Sequence, residues 1–262
     1  EDNRMILVKE WKQHLEELAN PENIDVSSFE VQEDLNSDVW DEEKYIKEDI
    51  GDRLYDLAKQ FFAKLELNWI KIDDVIFTGS LANFTWSEYS DIDLHILIDY
   101  TKVNENLDLV KDYLRKSASL WNKNHDIRIK GFEVEMYVQD SNESHYSGGV
   151  YSIKNDKWLE IPSHLDPTID YENIKKKAAR LMDDIDEISD MFLINEYEKA
   201  LKEAIRVRNK IRKFRQSGLE KGGIFSVENL AFKALRRNGY LEKLASLRIL
   251  SYDKTMSING EG

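Results

Sequence analysis

Apolar positions in this chain switch between two spacings, and the switch divides it. Met5, Val8, Trp11, Leu15 and Leu18 recur every three or four residues, the mark of one helical face, and Asn20-Pro21 ends the run. Residues 21–38 are polar and irregular and read as a linker or surface loop. Tyr45, Ile46, Ile50, Leu54, Leu57, Phe61 and Leu65 restore the helical spacing over about 41–65. Val75-Ile76-Phe77 is then a short apolar run of the buried-strand type, closed by Gly79-Ser80, where a helix can start, and followed by a short helical piece from Ala82 to Trp86. A second strand runs from Asp91 to Ile98, and Val103, Leu107, Val110, Leu114, Ala118 and Trp121 trace another helix. Phe132, Val134, Met136 and Val138 alternate with Glu133, Glu135 and Tyr137, which predicts a strand over 127–138 around Gly131 with one core face and one acidic face. Residues 151–161 read as a hairpin turning at Asn155-Asp156.

From Asp170 the pattern is helical throughout. Ile174, Ala178, Leu181, Ile185 and Ile188 lead into Tyr197, Leu201, Ile205 and Ile211, as one long helix or two, and Gly222-Gly223 stops the run. Ser226 has the character of an N-cap, with Glu228 in the first turn, a helix to Gly239 and a last short helix over Leu241 to Leu247. The predicted architecture is therefore α+β. It comprises an N-terminal helix and linker (1–40), a small mixed sheet packed with helices (41–167), an all-helical C-terminal domain (168–250) and a polar tail (251–262).

Composition narrows the function classes. A 262-residue chain that is 41% hydrophobic, with six Trp, twelve Tyr and ten Phe, can bury a substantial core. No run approaches the roughly 18 apolar residues of a membrane span, and no basic segment followed by an apolar one opens the chain, so a soluble cytoplasmic protein without membrane partners is expected. The absence of Cys removes disulfides, thiolate zinc sites and cysteine nucleophiles and leaves oxygen and His ligands. Net charge is -14, unevenly placed: from residue 201 onward seven Lys and seven Arg face six acids, a net +8, which leaves -22 for residues 1–200. A basic end and an acidic body suit a ligand carrying phosphates with the carboxylates kept for metal.

Asp91 and Asp93 point the same way from a strand, and two adjacent carboxylates repel unless a cation lies between them. A hard divalent ion is the natural occupant. Metal-assisted phosphoryl or nucleotidyl transfer uses carboxylates that hold two ions about 4 Å apart. Asp91 and Asp93 can bridge such ions, and a third acid from an adjacent strand, Glu135 or Glu133 by alternation, completes the set. Gly79 and the backbone N–H of Ser80 supply phosphate donors that no side chain obstructs, and Ser80 Oγ adds another.

Thr78-Gly79-Ser80, eleven positions to Asp91-Ile92-Asp93-Leu94, and Val134-Glu135-Met136 on a later strand resemble the signature of the DNA polymerase beta-like nucleotidyltransferase superfamily. The likeness covers about residues 70–140. It implies a small mixed sheet with helices followed by a helical domain, as in CCA-adding enzymes, poly(A) polymerases and oligoadenylate synthetases. By position it implies Asp91, Asp93 and Glu135 as catalytic metal ligands and Gly79 with Ser80 as the triphosphate contact. The family's third acid is more often Asp, so the choice between Glu133 and Glu135 stays open, with Glu135 preferred as the more central.

The implied reaction moves a nucleoside monophosphate from an NTP such as ATP to an acceptor hydroxyl, with Mg2+ or Mn2+ and release of pyrophosphate. The acceptor could be an RNA or tRNA end, a nucleotide, a small molecule or a protein. The alternative is a catalytically silent nucleotide-binding or interaction module, such as a toxin–antitoxin partner. His95 and Asn83 are secondary site candidates, and Arg208 and Lys210, with Arg206, Arg212, Lys213 and Arg215 beside them, are candidate triphosphate contacts. His125, His145 and His164 are too scattered for a zinc site, and neither a Gly-x-Ser-x-Gly elbow nor a Gly-x-x-x-x-Gly-Lys loop occurs.

Overall fold

The computed structural model describes residues 21–143 and 148–258. The helix expected over Met5 to Leu18, His145 and the last four residues lie outside that range. By its internal contacts the chain forms two units, one over Ser28–Asp166 and one over Pro167–Gly262 together with the residues up to Ser27.

The first unit is a six-stranded mixed sheet. Its strands are β1 (Asp74–Thr78), β2 (Ile92–Ile98), β3 (Arg128–Ile129), β4 (Phe132–Asp140), β5 (Val150–Ser152) and β6 (Lys157–Glu160), in the spatial order β3-β4-β2-β1-β5-β6. β2 and β4 run parallel and the other pairs antiparallel. A parallel neighbour needs a crossover, and α2 (Leu107–Asn124) is carried in it. Ile92, Leu94, Ile96 and Ile98 of β2 share one side with Val134 and Met136 of β4, and that side is buried with Ile50, Leu54 and Phe61 of α1 (Glu48–Lys64) and Val110 and Leu114 of α2. Burying each such side chain contributes roughly 1.5–3 kcal/mol.

Departures from the sequence expectations have local causes. Helix α1 starts at Glu48 instead of near 41, because Asp41 Oδ1 accepts the backbone N–H groups of Glu43 at 2.9 Å and Tyr45 at 2.8 Å and closes a turn in place of a first helical turn. The strand expected over 127–138 is a hairpin: Lys130 (φ 52°) and Gly131 (φ 88°) take the left-handed conformations of a tight turn. No helix forms over 82–86, where the chain makes successive turns. Residues 28–40, read as part of a linker, belong to the core. Val39 and Trp40 are buried, the Trp40 ring stacks on Phe77 (centroids 5.5 Å apart) and Trp158 (4.7 Å), and its Nε1 donates to Leu81 O at 2.7 Å. That segment has no regular period to betray it.

The second unit is helical: α3 (Tyr171–Leu193), α4 (Tyr197–Gly222), α5 (Val227–Arg237) and α6 (Tyr240–Met256). The long helical pattern is thus two helices, parted where Asn195 adopts φ 65° as a left-handed C-terminal stop. Ser226 caps α5 by accepting the N–H of Asn229 at 3.3 Å. The last helix is longer than its apolar run suggested, continuing through the polar residues to Met256. Lys243 is buried against Asp186, Nζ donating to Oδ1 at 2.6 Å, and the Tyr240 hydroxyl donates to the other carboxylate oxygen at 3.1 Å.

Among the described residues, no helix is long and apolar enough to cross a membrane.

Candidate active site

Strand register brings the sequence-predicted acids into one row. Thr78 at the end of β1 is paired with Asp93 of β2, and Asp93 is paired on its other side with Glu135 of β4. Neighbouring strands lie about 4.8 Å apart, so the two carboxylates start from adjacent backbone positions on one face. The two-residue period adds His95 on β2 and Glu133 and Tyr137 on β4 to that face, all half-buried, while the alternate residues are buried against the helices. Asp91 stands immediately before β2, half-buried like Asp93.

Gly79 follows Thr78 with φ 85°, a conformation that disfavours a side chain. Space forbids one as well: a Cβ there would lie 2.0 Å from Asp93 Oδ2. The glycine therefore lets the Asp93 carboxylate lie against the main chain as it leaves β1. Ser80 Oγ donates to Ser90 Oγ at 2.7 Å, and Ser90 Oγ accepts the backbone N–H of Ser87 at 2.9 Å. These contacts tie the turn after β1 to the loop that delivers Asp91. Trp40 braces the same turn from below through Leu81.

Each glutamate of β4 has a different protein partner. Glu133 faces its hairpin partner Arg128, with Nη2 3.8 Å from Oε2, and Arg128 also holds Asp126 at 2.9 Å. Glu135 accepts a short hydrogen bond from the Tyr137 hydroxyl. Burial, that hydrogen bond and the charges of Asp93, Glu135 and Asp91 all push the Tyr137 pKa above its ordinary value. Three acids acting on one hydroxyl share one neighbourhood. Tyr137 was not given a role by the sequence pattern, although its place two residues after Glu135 on a strand puts it on the same face.

Among the described residues, no group of three or more His, Asp or Glu side chains stands ready-made to hold a metal ion. Asp93 lies on the Gly79 main chain, Glu135 is held by Tyr137 and Glu133 by Arg128. The donor chemistry nonetheless fits a hard divalent cation, since every candidate is a carboxylate oxygen.

The secondary candidates are dispersed. His95 Nδ1 is 3.1 Å from Gln139 Oε1 and its ring stacks on Tyr137, centroids 4.8 Å apart, one step along the strand from Asp93. Asn83 is buried, its Oδ1 accepting the N–H of Phe84 at 2.7 Å, and its amide fills the space a Cβ on Gly148 would need. It shapes the loop. Trp86 donates to Asp34 O at 2.8 Å. His125 packs on Trp121 and His164 on Phe84. Lys210 and Arg208 belong to α4 in the helical unit, where Lys210 pairs with Asp184 and Arg208 lines a cavity.

No family model and no curated protein matches the chain. Among solved structures, the chain is similar to the STING-associated CdnE c-di-GMP synthase from Capnocytophaga granulosa over 80% of its own length and 83% of that chain, with 15% sequence identity and a TM-score of 0.20.

Proposed function

We propose that the strand edge at Asp91, Asp93 and Glu135 is the active site of a metal-dependent nucleotidyltransferase, which moves a nucleoside monophosphate from an NTP to an acceptor hydroxyl. The observation that carries this reading is the register Thr78–Asp93–Glu135, which sets two acids side by side next to a glycine turn that carries no side chain. Asp91, Asp93 and Glu135 would hold two divalent cations, Mg2+ or Mn2+. Bound there, the cations would neutralise triphosphate charge and favour ionisation of the attacking hydroxyl.

The chain's own groups account for the rest. The acceptor oxygen attacks the α-phosphorus, the bond from that phosphorus to the bridging oxygen breaks, and pyrophosphate leaves with the electron pair. The hydroxyl proton passes to a carboxylate, Glu135 being the best placed because Tyr137 fixes its orientation by hydrogen bonding. Gly79 and Ser80 would present backbone N–H groups to the phosphates. Glu135 is favoured over Glu133 as third acid because it is the register partner of Asp93, whereas Glu133 is occupied by Arg128.

The test is incubation of the full chain with each labelled NTP, Mg2+ or Mn2+ and separate acceptor pools of RNA, tRNA, nucleotides and protein, with pyrophosphate release as readout. Labelling of one pool that disappears in Asp93→Asn supports the reading. Pyrophosphate release that is absent with every NTP, or unchanged in both Asp91→Asn and Asp93→Asn, overturns it. One observation favours a second reading, a silent nucleotide-binding or interaction module such as a toxin–antitoxin partner: the acids are held by protein groups and do not form a ready metal cluster. That reading expects NTP binding that survives Asp93→Ala.

A further inference from the structure

Basic residues on α4 divide by face. Lys199, Arg206 and Lys210 each hold a carboxylate, those of Glu196, Glu203 and Asp184. Arg208, Arg212 and Arg215 follow one another at spacings of four and three, so they share a different face, and they line a cavity of about 520 Å³. Among the described residues no carboxylate lines it; apart from one amide, Gln216, the remaining wall is apolar and includes Phe232, Leu241 and Leu244. Every lining residue belongs to the helical unit. Among the described residues neither Arg208 nor Arg212 forms an ion pair, unlike Arg206 and Lys210 on the same helix.

Arg215 is fixed in the wall. Its guanidinium carbon lies 4.2 Å from the centroid of the Phe232 ring, and its Nε donates to Asn229 Oδ1 at 3.3 Å. Burial, and then the charge of Arg236, lower its pKa from the ordinary value. The groups that act on it are therefore an aromatic ring, an amide and another cation. Three guanidinium groups along one helical face repel one another, and low-dielectric apolar walls strengthen whatever charge interaction forms there. A planar guanidinium is matched best by a phosphate or carboxylate, which it grips through two N–H groups. Cavities of roughly 300–1,000 Å³ between the helices of a bundle, mostly apolar with a few converging polar groups, are characteristic of small-molecule sites.

We infer that this cavity binds a small amphipathic anion, its phosphate or carboxylate head held by Arg208 and Arg212 and its apolar or aromatic body lodged against Phe232, Leu241 and Leu244. The site is opposite in sign to the acid-lined strand edge and stands whether or not that edge catalyses transfer.

The experiment is calorimetric titration of the full chain, in a chelator without divalent cation or NTP, with three probes: 1-naphthyl phosphate, 1-naphthoate and inorganic phosphate. The expected result is saturable one-to-one binding of at least one naphthyl anion, the tighter of the two naming the head group, with inorganic phosphate about tenfold weaker or more for want of an apolar body. Arg208→Gln and Arg212→Gln each weaken binding about tenfold, while Lys199→Gln, which removes an equal charge from a paired residue outside the cavity, leaves it unchanged. Ala245→Trp, which adds bulk from an exposed position on the cavity rim, abolishes binding with the circular-dichroism melt retained. Absence of saturable binding by both naphthyl anions overturns the assignment. So does an affinity that survives in the Arg208→Gln/Arg212→Gln double variant.

Discussion

The sheet unit and the helical unit treat charge in opposite ways. Across β1, β2 and β4 the register sets Asp93 beside Glu135 and leaves Asp91 close by, so like charges collect at one strand edge. In the helical unit opposite charges are matched: Lys243 with Asp186, Lys177 with Glu228, Lys210 with Asp184 and Arg206 with Glu203, and the face of α4 carrying Arg208, Arg212 and Arg215 departs from that rule. Matched charge holds helices together. Arginines gathered on one face without a carboxylate work against the fold, and their persistence there fits a ligand of the opposite sign.

Substitutions can break or sharpen this contrast. The largest effect is expected on turnover: Asp93→Asn lowers the rate of pyrophosphate release by about a thousandfold or more, while chemical denaturation shows stability unchanged or higher by up to about 1 kcal/mol, since a like-charge neighbour has been neutralised. A loss of stability would instead make Asp93 a structural residue. In the helical unit the opposite outcome is expected. Lys243→Met leaves Asp186, whose pKa burial already raises, without its cation and costs about 3 kcal/mol by denaturant unfolding. Pairing it with Asp186→Leu recovers most of that loss, because two apolar side chains can replace the ion pair. Smaller still, Gly79→Ala costs about 1–3 kcal/mol, as its Cβ meets both a positive φ and the Asp93 carboxylate, and activity falls with it.

What the sequence made legible follows from where periodicity operates. β2 and β4 could be placed, and their acids assigned to one face, because a strand alternates strictly, so Glu133 and Glu135 against Val134 and Met136 leave one arrangement. The Ser226 cap was equally readable from its chemistry. Segment 28–40 was not, since Phe29, Leu35, Val39 and Trp40 enter the core at irregular intervals and only tertiary contact shows it. Local side-chain bonds defeated the helix spacing at Asp41, and two left-handed residues turned one expected strand into a hairpin at Lys130-Gly131. The division of α4 into paired and unpaired arginines depends on which neighbours meet each face. Helical spacing groups Arg208, Arg212 and Arg215 but cannot say that no carboxylate comes opposite.

The parallel pairing of β2 with β4 also bears on how the chain reaches its native state. β1 and β2 pair as antiparallel neighbours joined by a modest loop, whereas β4 reaches β2 only after α2 and the β3 hairpin have been laid down between them. Contacts that close longer loops form at greater entropic cost and tend to come later. The repulsion between Asp93 and Glu135 would then be met on the native side of the folding barrier, where it shortens the lifetime of the folded state without slowing its formation. Stopped-flow kinetics of Asp93→Asn should show slower unfolding at an unaltered folding rate; a faster folding arm would place the meeting of the two acids before the barrier.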